Sequence, residues 1–415
     1  MNGYVLREAM VLDGEGGFRG PVDVAVEGGV VEAVGRNLAT QKAKELDFSG
    51  LWLIPGMFDC HVHVVATSLD VMELLRTPLS ERVLEAGGIL DRTLRSGVTF
   101  ARDAGGADVG IKRAVDKGFI SGPRLQVAVT PISQTGGHFD GHIAGPAIDL
   151  SAGYQFPDYP GRPPILVDGP DEMRKAVRAR LRAGADWIKL TTTGGIMSAH
   201  GSGTQPEFTR EEIAVAVFEA GRKGKHVMTH CFGGEALHNS VMAGVRSIEH
   251  GIFLTEQDAR LMAARGTWLV PTLSALRDVW RWADEGRLPP YAARKVKDLS
   301  LQFGQSVKIA REYGVRIALG TDFISREQQG RNLGEIALVA DAGLTPQEAL
   351  LAATRNGAEL CGVAESYGQI APGFVFDAIV LDRDPSDLEF ARKCEISGLF
   401  KGGDPVIRHP RWGSD

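Results

Sequence analysis

Two histidines, His61 and His63, stand two residues apart just after an apolar run from Leu51 to Ile54 and a Pro55-Gly56 turn. On a β-strand, side chains at i and i+2 project from the same face. The pair can therefore aim two imidazoles at one point, and holding a divalent metal is the commonest use of that arrangement. Taken alone, an H-x-H pair is equally well explained by one packed histidine and one surface histidine.

The elements around it give the pair a context. From Tyr4 to Phe48 the pattern is β, with Val22 to Val26 alternating, a Gly28-Gly29 turn and a return over Val30 to Val34. Similar strand patterns recur at Asp377 to Leu381 and Ile396 to Phe400, so residues 1–54 and 367–415 are expected to build one small β domain. Between them, residues 55–366 alternate between strand-like and helix-like segments. Strands are expected at Val98–Asp103, Arg124–Val129, Trp187–Leu190, Lys225–His230, Arg246–His250, Thr267–Pro271 and Val315–Leu319. Helices are expected at Ser80–Arg95, Asp171–Ala183, Thr209–Gly221 (opened by a capping box) and Tyr291–Tyr313. About eight strand–helix units are the signature of a (β/α)8, TIM-type barrel in the α/β class. An open doubly wound sheet is disfavoured, because no G-x-G-x-x-G follows an early strand. The segment Gly136–Pro164 has no periodicity, and a loop that long is usually functional.

In a barrel the C-terminal strand ends converge, and chemistry sits on that face. The polar residues expected there are His61 and His63, Lys189, His230, His250, and Asp322 after Gly320-Thr321. The chain has only 10 histidines, yet four fall at such ends. Lys189 lies in an apolar strand, where burial and a nearby metal would both disfavour an ammonium ion. Either it pairs with an acid such as Asp186 or Asp59, or its uncharged amine has added CO2 to give a carbamate able to bridge two metals.

The chain resembles the amidohydrolase superfamily, specifically its binuclear members with a carboxylated lysine. The motifs that carry the resemblance are Pro55-Gly56-x-x-Asp59-x-His61-x-His63, Ile248-Glu249-His250-Gly251 and Gly320-Thr321-Asp322. Arg102-Asp103-Ala104-Gly105-Gly106 and Ser133-Gln134-Thr135-Gly136-Gly137-His138 are similar to the branch of prolidase-like dipeptidases, carboxypeptidase-like enzymes and ochratoxin-type amidases. The resemblance implies two divalent metal ions, with zinc expected although manganese and cobalt suit the same donors. It places His61, His63 and Asp322 on the first metal, His230 and His250 on the second, and Lys189 across both as N6-carboxylysine. The implied reaction is cleavage of an amide or peptide-like bond (dipeptide, N-acyl amino acid or related amide) by a metal-bridging hydroxide. Asp322 would shuttle the proton, and His138 would act with it by contacting the substrate carbonyl or carboxylate.

After the strand-5 histidine, prolidase-like relatives carry a tyrosine that helps to hold the substrate carboxylate. Cys231 occupies that position here, followed by Phe232. Cysteine supplies no phenolic hydrogen bond, so as a substrate-binding residue Cys231 fits a larger or more apolar substrate as well as a dipeptide. His142, His200 and His238 are read as substrate-shell or surface residues, His226 as structural, and Trp280 and Trp282 as a wall of the pocket or a packing face.

Two competing functions differ in observable ways. A mononuclear deaminase or imidazolonepropionase-like cyclic-amide hydrolase usually lacks the strand-4 lysine, and Lys189 is present. A metal-free binding scaffold would have lost ligands, and none is missing from the motif set. Composition narrows the partners further. A net charge of −6 without a Lys/Arg run argues against nucleic acid. No apolar run approaches the ~20 residues that cross a bilayer, and no signal peptide is read at residues 1–10. Cys60, Cys231, Cys361 and Cys394 form no C-x-x-C pair, which fits free thiols in a reducing, cytoplasmic setting. The resemblance also implies a symmetric homo-oligomer.

Overall fold

The computed structural model describes residues 3–39, 43–143, 148–149, 159–198, 203–300 and 302–412. Strands β1 (Tyr4–Leu12), β2 (Phe18–Glu27), β3 (Val30–Gly35), β4 (Lys44–Asp47) and β5 (Trp52–Pro55) open the chain. The β2–β3 hairpin forms as its alternation requires, turning at Gly28 and Gly29 with φ of 57° and 81°. Positive φ at both turn residues matches the twist of the flanking strands, and glycine takes it without steric penalty.

The chain then passes into two parallel sheets. β6 (Met57–Val62), β7 (Val98–Asp103) and β8 (Arg124–Val127) form the first. A two-residue antiparallel pair, β9 (His142–Ile143) with β10 (Ile148–Asp149), lies in the long aperiodic segment. β11 (Trp187–Thr191), β12 (His226–Gly233), β13 (Ser247–Phe253) and β14 (Trp268–Val270) form the second parallel sheet. Helices Leu79–Arg95, Val109–Asp116, Gly169–Arg182, Arg210–Gly221, Gly234–Ala243 and Glu256–Arg265 alternate with these strands. Their apolar stripes pack on the sheets through Ile89, Leu90, Val177, Ile213 and Val241, all fully buried.

Backbone hydrogen bonds join the two sheets. Asp186 N–H donates to Val127 O (2.7 Å), Ile132 N–H to Lys189 O (2.8 Å) and Thr191 N–H to Ile132 O (3.0 Å). Past β14, Leu269 N–H donates to Arg316 O (2.9 Å) and Ala318 N–H to Leu269 O (3.1 Å). Cys60 N–H then donates to Leu319 O (2.8 Å), and Asp322 N–H to His61 O (2.8 Å). Residues 315–319, expected as a strand, carry one isolated bridge at Ile317 rather than a continuous ladder.

The chain returns to the N-terminal sheet of β1–β5 with β15 (Ala378–Leu381), β16 (Gly398–Lys401) and β17 (Asp404–Ile407). The order is β17-β16-β15-β5-β1-β2-β3, with β4 on β1. Its core is Val24, Val26, Leu53, Val380 and Phe400 under Phe48 and Trp412. One residue, Gly56, separates β5 from β6, and there a Cβ would stand 2.2 Å from the Thr99 hydroxyl oxygen. A side chain at this position would collide with Thr99 on the neighbouring strand β7.

Two expected helices differ in detail. The single helix expected over Tyr291–Tyr313 is two, Pro290–Ser300 and Gln305–Glu312, because Gly304 between them adopts a left-handed φ of 74°. The helix expected from Ser80 begins at Leu79 behind Pro78, with no side-chain cap. The capping box of Thr209 and Glu212 is present.

Candidate metal centre

The strand ends deliver a tight group of donors. His61 closes on Glu249, its Nδ1–H donating to Oε2 at 2.7 Å, and His63 Nδ1–H donates to Gly105 O at 2.8 Å. In the neutral rings those bonds place the proton on Nδ1 and turn both Nε2 atoms toward the Lys189 and Asp322 side, the tautomer a metal requires. Both face the same oxygen, Asp322 Oδ1, at 3.5 Å from His61 and 3.3 Å from His63. His250 shares a 2.6 Å hydrogen bond between Nδ1 and the Thr272 hydroxyl, and its ring centre lies 5.2 Å from that of His61. His230 lies 4.6 Å from His250, with Nε2 3.4 Å from Gly194 O. Lys189 Nζ stands 3.2 Å from His61 Nε2. Among the described residues, donor atoms of His61, His250 and Asp322 fall within 4.8 Å of one another. Imidazoles with their other nitrogen engaged, beside an anionic carboxylate, fit a divalent cation.

His250 and Asp322 both hold positive φ, 73° and 53°. A non-glycine residue in that region is strained, and such residues persist where packing over-determines them, commonly at functional sites.

Electrostatics separates the roles. Burial pushes Lys189 down to about 8, with Glu249 and Asp322 only partly opposing it. An uncharged amine is therefore accessible near neutral pH. Burial likewise holds His61 and His230 well below the ordinary imidazole range and His250 at about 4. Burial also lowers His63, but hydrogen bonding to Asp322 and the Asp322 charge prevail and raise it. Burial would lift Asp322, yet His61, His63 and His250 hold it well below the usual carboxylate range. The two acids considered as partners for Lys189 are otherwise engaged. Asp186 pairs with Lys112 at 2.6 Å and Lys225 at 3.4 Å. Asp59 accepts from Thr321 Oγ1 at 2.7 Å and Asn332 Nδ2 at 2.8 Å.

Behind the donors lies a buried layer to which the sequence reading assigned no role. Arg102 NH2 donates to both oxygens of Glu249 at 2.9 and 3.0 Å, and Arg102 Nε donates to Cys60 O at 2.6 Å. Ser247 Oγ donates to Glu249 Oε1 at 2.5 Å. Both charges are fully buried, and this bonding is what makes their burial tolerable. Arg102 and Glu249 stood inside the quoted motifs; an arginine and a glutamate within apolar strands were the available signal.

The donors floor a cavity of about 180 Å³. His138 lines it, stacked on His230 with ring centres 4.1 Å apart and Nδ1 3.0 Å from Ser198 Oγ. Cys231 requires a correction, because it is fully buried between strands and helices and does not line the cavity. Strand alternation turns it away from the face that His230 occupies, and Phe232 reaches the cavity instead. Trp280 and Trp282 also lie off the wall; Ala275, Leu276 and Val279 of their helix (Leu273–Asp284) form it. His142, His226 and His238 are exposed, and His200 lies outside the described residues. His409 is buried against Asp382, 2.8 Å away.

The family model for the amidohydrolases matches residues 52–406. The chain belongs to the amidohydrolase family. It is also similar to the ochratoxinase of Aspergillus niger, at 31% identity over 379 residues covering 88% of this chain and 78% of that one. Two solved structures superpose closely. A prolidase complexed with N-methylphosphonate-L-proline gives a TM-score of 0.91 at 31% identity, covering 98% of this chain and 100% of its own. A Xaa-Pro dipeptidase with bound methionine gives 0.88 at 27%, with the same coverage. This amidohydrolase thus has an α/β fold and hydrolyses carbon–nitrogen bonds, within the branch that holds the prolidases and ochratoxinase. No helix among the described residues is long and apolar enough to cross a membrane.

Proposed function

We propose that this amidohydrolase cleaves an amide or peptide-like bond in a small molecule at a binuclear centre. The observation that carries the reading is the meeting of Lys189 Nζ, His61 Nε2 and Asp322 Oδ1 within 3.5 Å steps. His61, His63 and Asp322 would hold one cation and His230 and His250 the other. Lys189, as the carbamate formed by CO2 on its uncharged amine, would join them. Zinc is the expected metal. When bound, two such cations would acidify a shared water and polarise the scissile carbonyl.

The chain's own groups supply the rest. Asp322 is kept anionic by its imidazole neighbours, so it can take a proton from the attacking water and pass it to the leaving nitrogen. Glu249 holds the His61 ring in place, and Arg102 neutralises Glu249. His138, on the cavity wall, would contact the substrate carbonyl or carboxylate. The backbone bonds between residues 60 and 319 support closure of the parallel strands into a (β/α)8 barrel over 55–366. On this reading, 1–54 and 367–415 form the small β domain. The protein would work in the cytoplasm as a homo-oligomer, which light scattering tests.

Elemental analysis of protein grown with added metal and bicarbonate is the decisive test. Two equivalents per chain support the binuclear reading, and hydrolysis of dipeptides, N-acyl amino acids and simple amides is then compared. One equivalent would turn the reading to the mononuclear deaminase or cyclic-amide hydrolase, with ammonia release as the assay.

A further inference from the structure

The cavity wall above the donors is largely apolar. Phe139, Ile196, Phe232, Ile252, Leu276 and Val279 contribute to it, and among the described lining residues the only lysine or arginine is Lys189. The stretches 144–147, 150–158 and 199–202 contain no lysine or arginine either.

Outside the His/Lys/Asp cluster, three lining side chains carry a hydroxyl, and each is engaged within the protein. Ser68 donates to Glu73 Oε2 at 2.5 Å, Tyr291 donates to Met197 O at 3.1 Å, and Thr272 is bonded to His250. Lys295 does not line the cavity, and its ammonium donates to Gly195 O and Ser198 O at 3.1 and 2.8 Å. In the neighbouring groove, Arg287 is paired with Glu285 and Glu327, which Arg281 shares, and Arg326 with Glu73 and Glu85.

A substrate carboxylate beside the scissile bond would therefore be desolvated among aliphatic and aromatic groups without a cation of its own, which is strongly unfavourable. The apolar surface also continues outward. Val71 lines the cavity yet is 36% exposed, and Leu75, one turn along the helix Val71–Arg76, is 43% exposed. An uncharged group longer than the cavity has apolar surface to follow.

We propose that the preferred substrates are amides flanked on both sides by uncharged apolar groups, with no carboxylate next to the scissile nitrogen. This inference rests on the amide-hydrolase reading above.

Matched pairs that differ only in the carboxylate test it. N-hexanoyl-2-phenylethylamine is compared with N-hexanoyl-L-phenylalanine, and N-hexanoylpyrrolidine with N-hexanoyl-L-proline, on the metal-loaded full chain. The carboxylate-free member of each pair is expected to show kcat/KM at least about tenfold higher. Preference for the carboxylates would overturn the inference and leave the amide-hydrolase reading standing. Turnover of neither pair by metal-loaded protein would overturn both. A second arm places a cation at the exposed edge of the wall with Val71→Arg, its fold checked by circular dichroism. The pairwise ratio should shift toward the carboxylates; an unchanged ratio in folded protein would overturn the wall as the source of the preference.

Discussion

Glu249 binds His61 through Nδ1 at 2.7 Å, while Arg102 holds the same carboxylate from the opposite side at 2.9 and 3.0 Å. The imidazole is thereby locked into one tautomer and one orientation by a charge pair that does not line the cavity. Glu249→Gln weakens that hold without emptying the space. Metal affinity is expected to fall about 10- to 100-fold, as read by competition with a chelator. Unchanged affinity would mean that His61 is positioned by packing alone.

Lys189→Ala removes the only amine in the donor group. It should lose both metal retention and activity, measured by elemental analysis and amide turnover on the same sample. A variant that kept two metals and full turnover would rule out the carbamate.

Asp322→Asn preserves shape while abolishing the anion. Much of the metal should remain, with turnover lower by roughly 10²–10⁴-fold. Full activity would exclude Asp322 as the proton carrier.

Glu335 offers a pH test remote from turnover. It accepts from the first amides of the helix Leu273–Asp284, Leu273 N–H at 2.8 Å and Ser274 N–H at 2.7 Å. Burial lifts it from 4.5 to about 7. The folded chain thus keeps a proton that the unfolded chain has already released. Its contribution to stability is highest below pH 4.5, declines as pH rises toward about 7 and is level above that. Relative to Glu335→Gln, the parent chain should lose stability between pH 5 and 7 in urea unfolding. Parallel profiles would show that Glu335 titrates normally.

The candidate donors could be picked out because metal chemistry restricts residue types, and strand geometry restricts spacing: His61 and His63 at i and i+2 need no partner to be noticed. The layer behind them was harder to read, since Arg102 and Glu249 acquire meaning only when strands β7 and β13 are brought face to face. Cys231 was misplaced for a simpler reason. Alternation from His230 puts Phe232, not Cys231, on the same face, and the comparison with a tyrosine in relatives overrode that rule. The split at Gly304 was missed because a glycine inside a helical pattern reads as tolerated until its φ is known.

Strand β5 pairs Leu53 with Val380 and Ile54 with Ile379, and Gly56 N–H donates to Asp377 O at 2.9 Å, five residues before His61. A ribosome makes the histidine strand well before its flanking support. Until β15 emerges, the nascent chain carries His61 and His63 next to a strand edge that has no neighbour on the β15 side. Pairings this distant in sequence form slowly, so completion of the small sheet is a late event in biogenesis, and metal capture before it would meet a strand not yet held on that side.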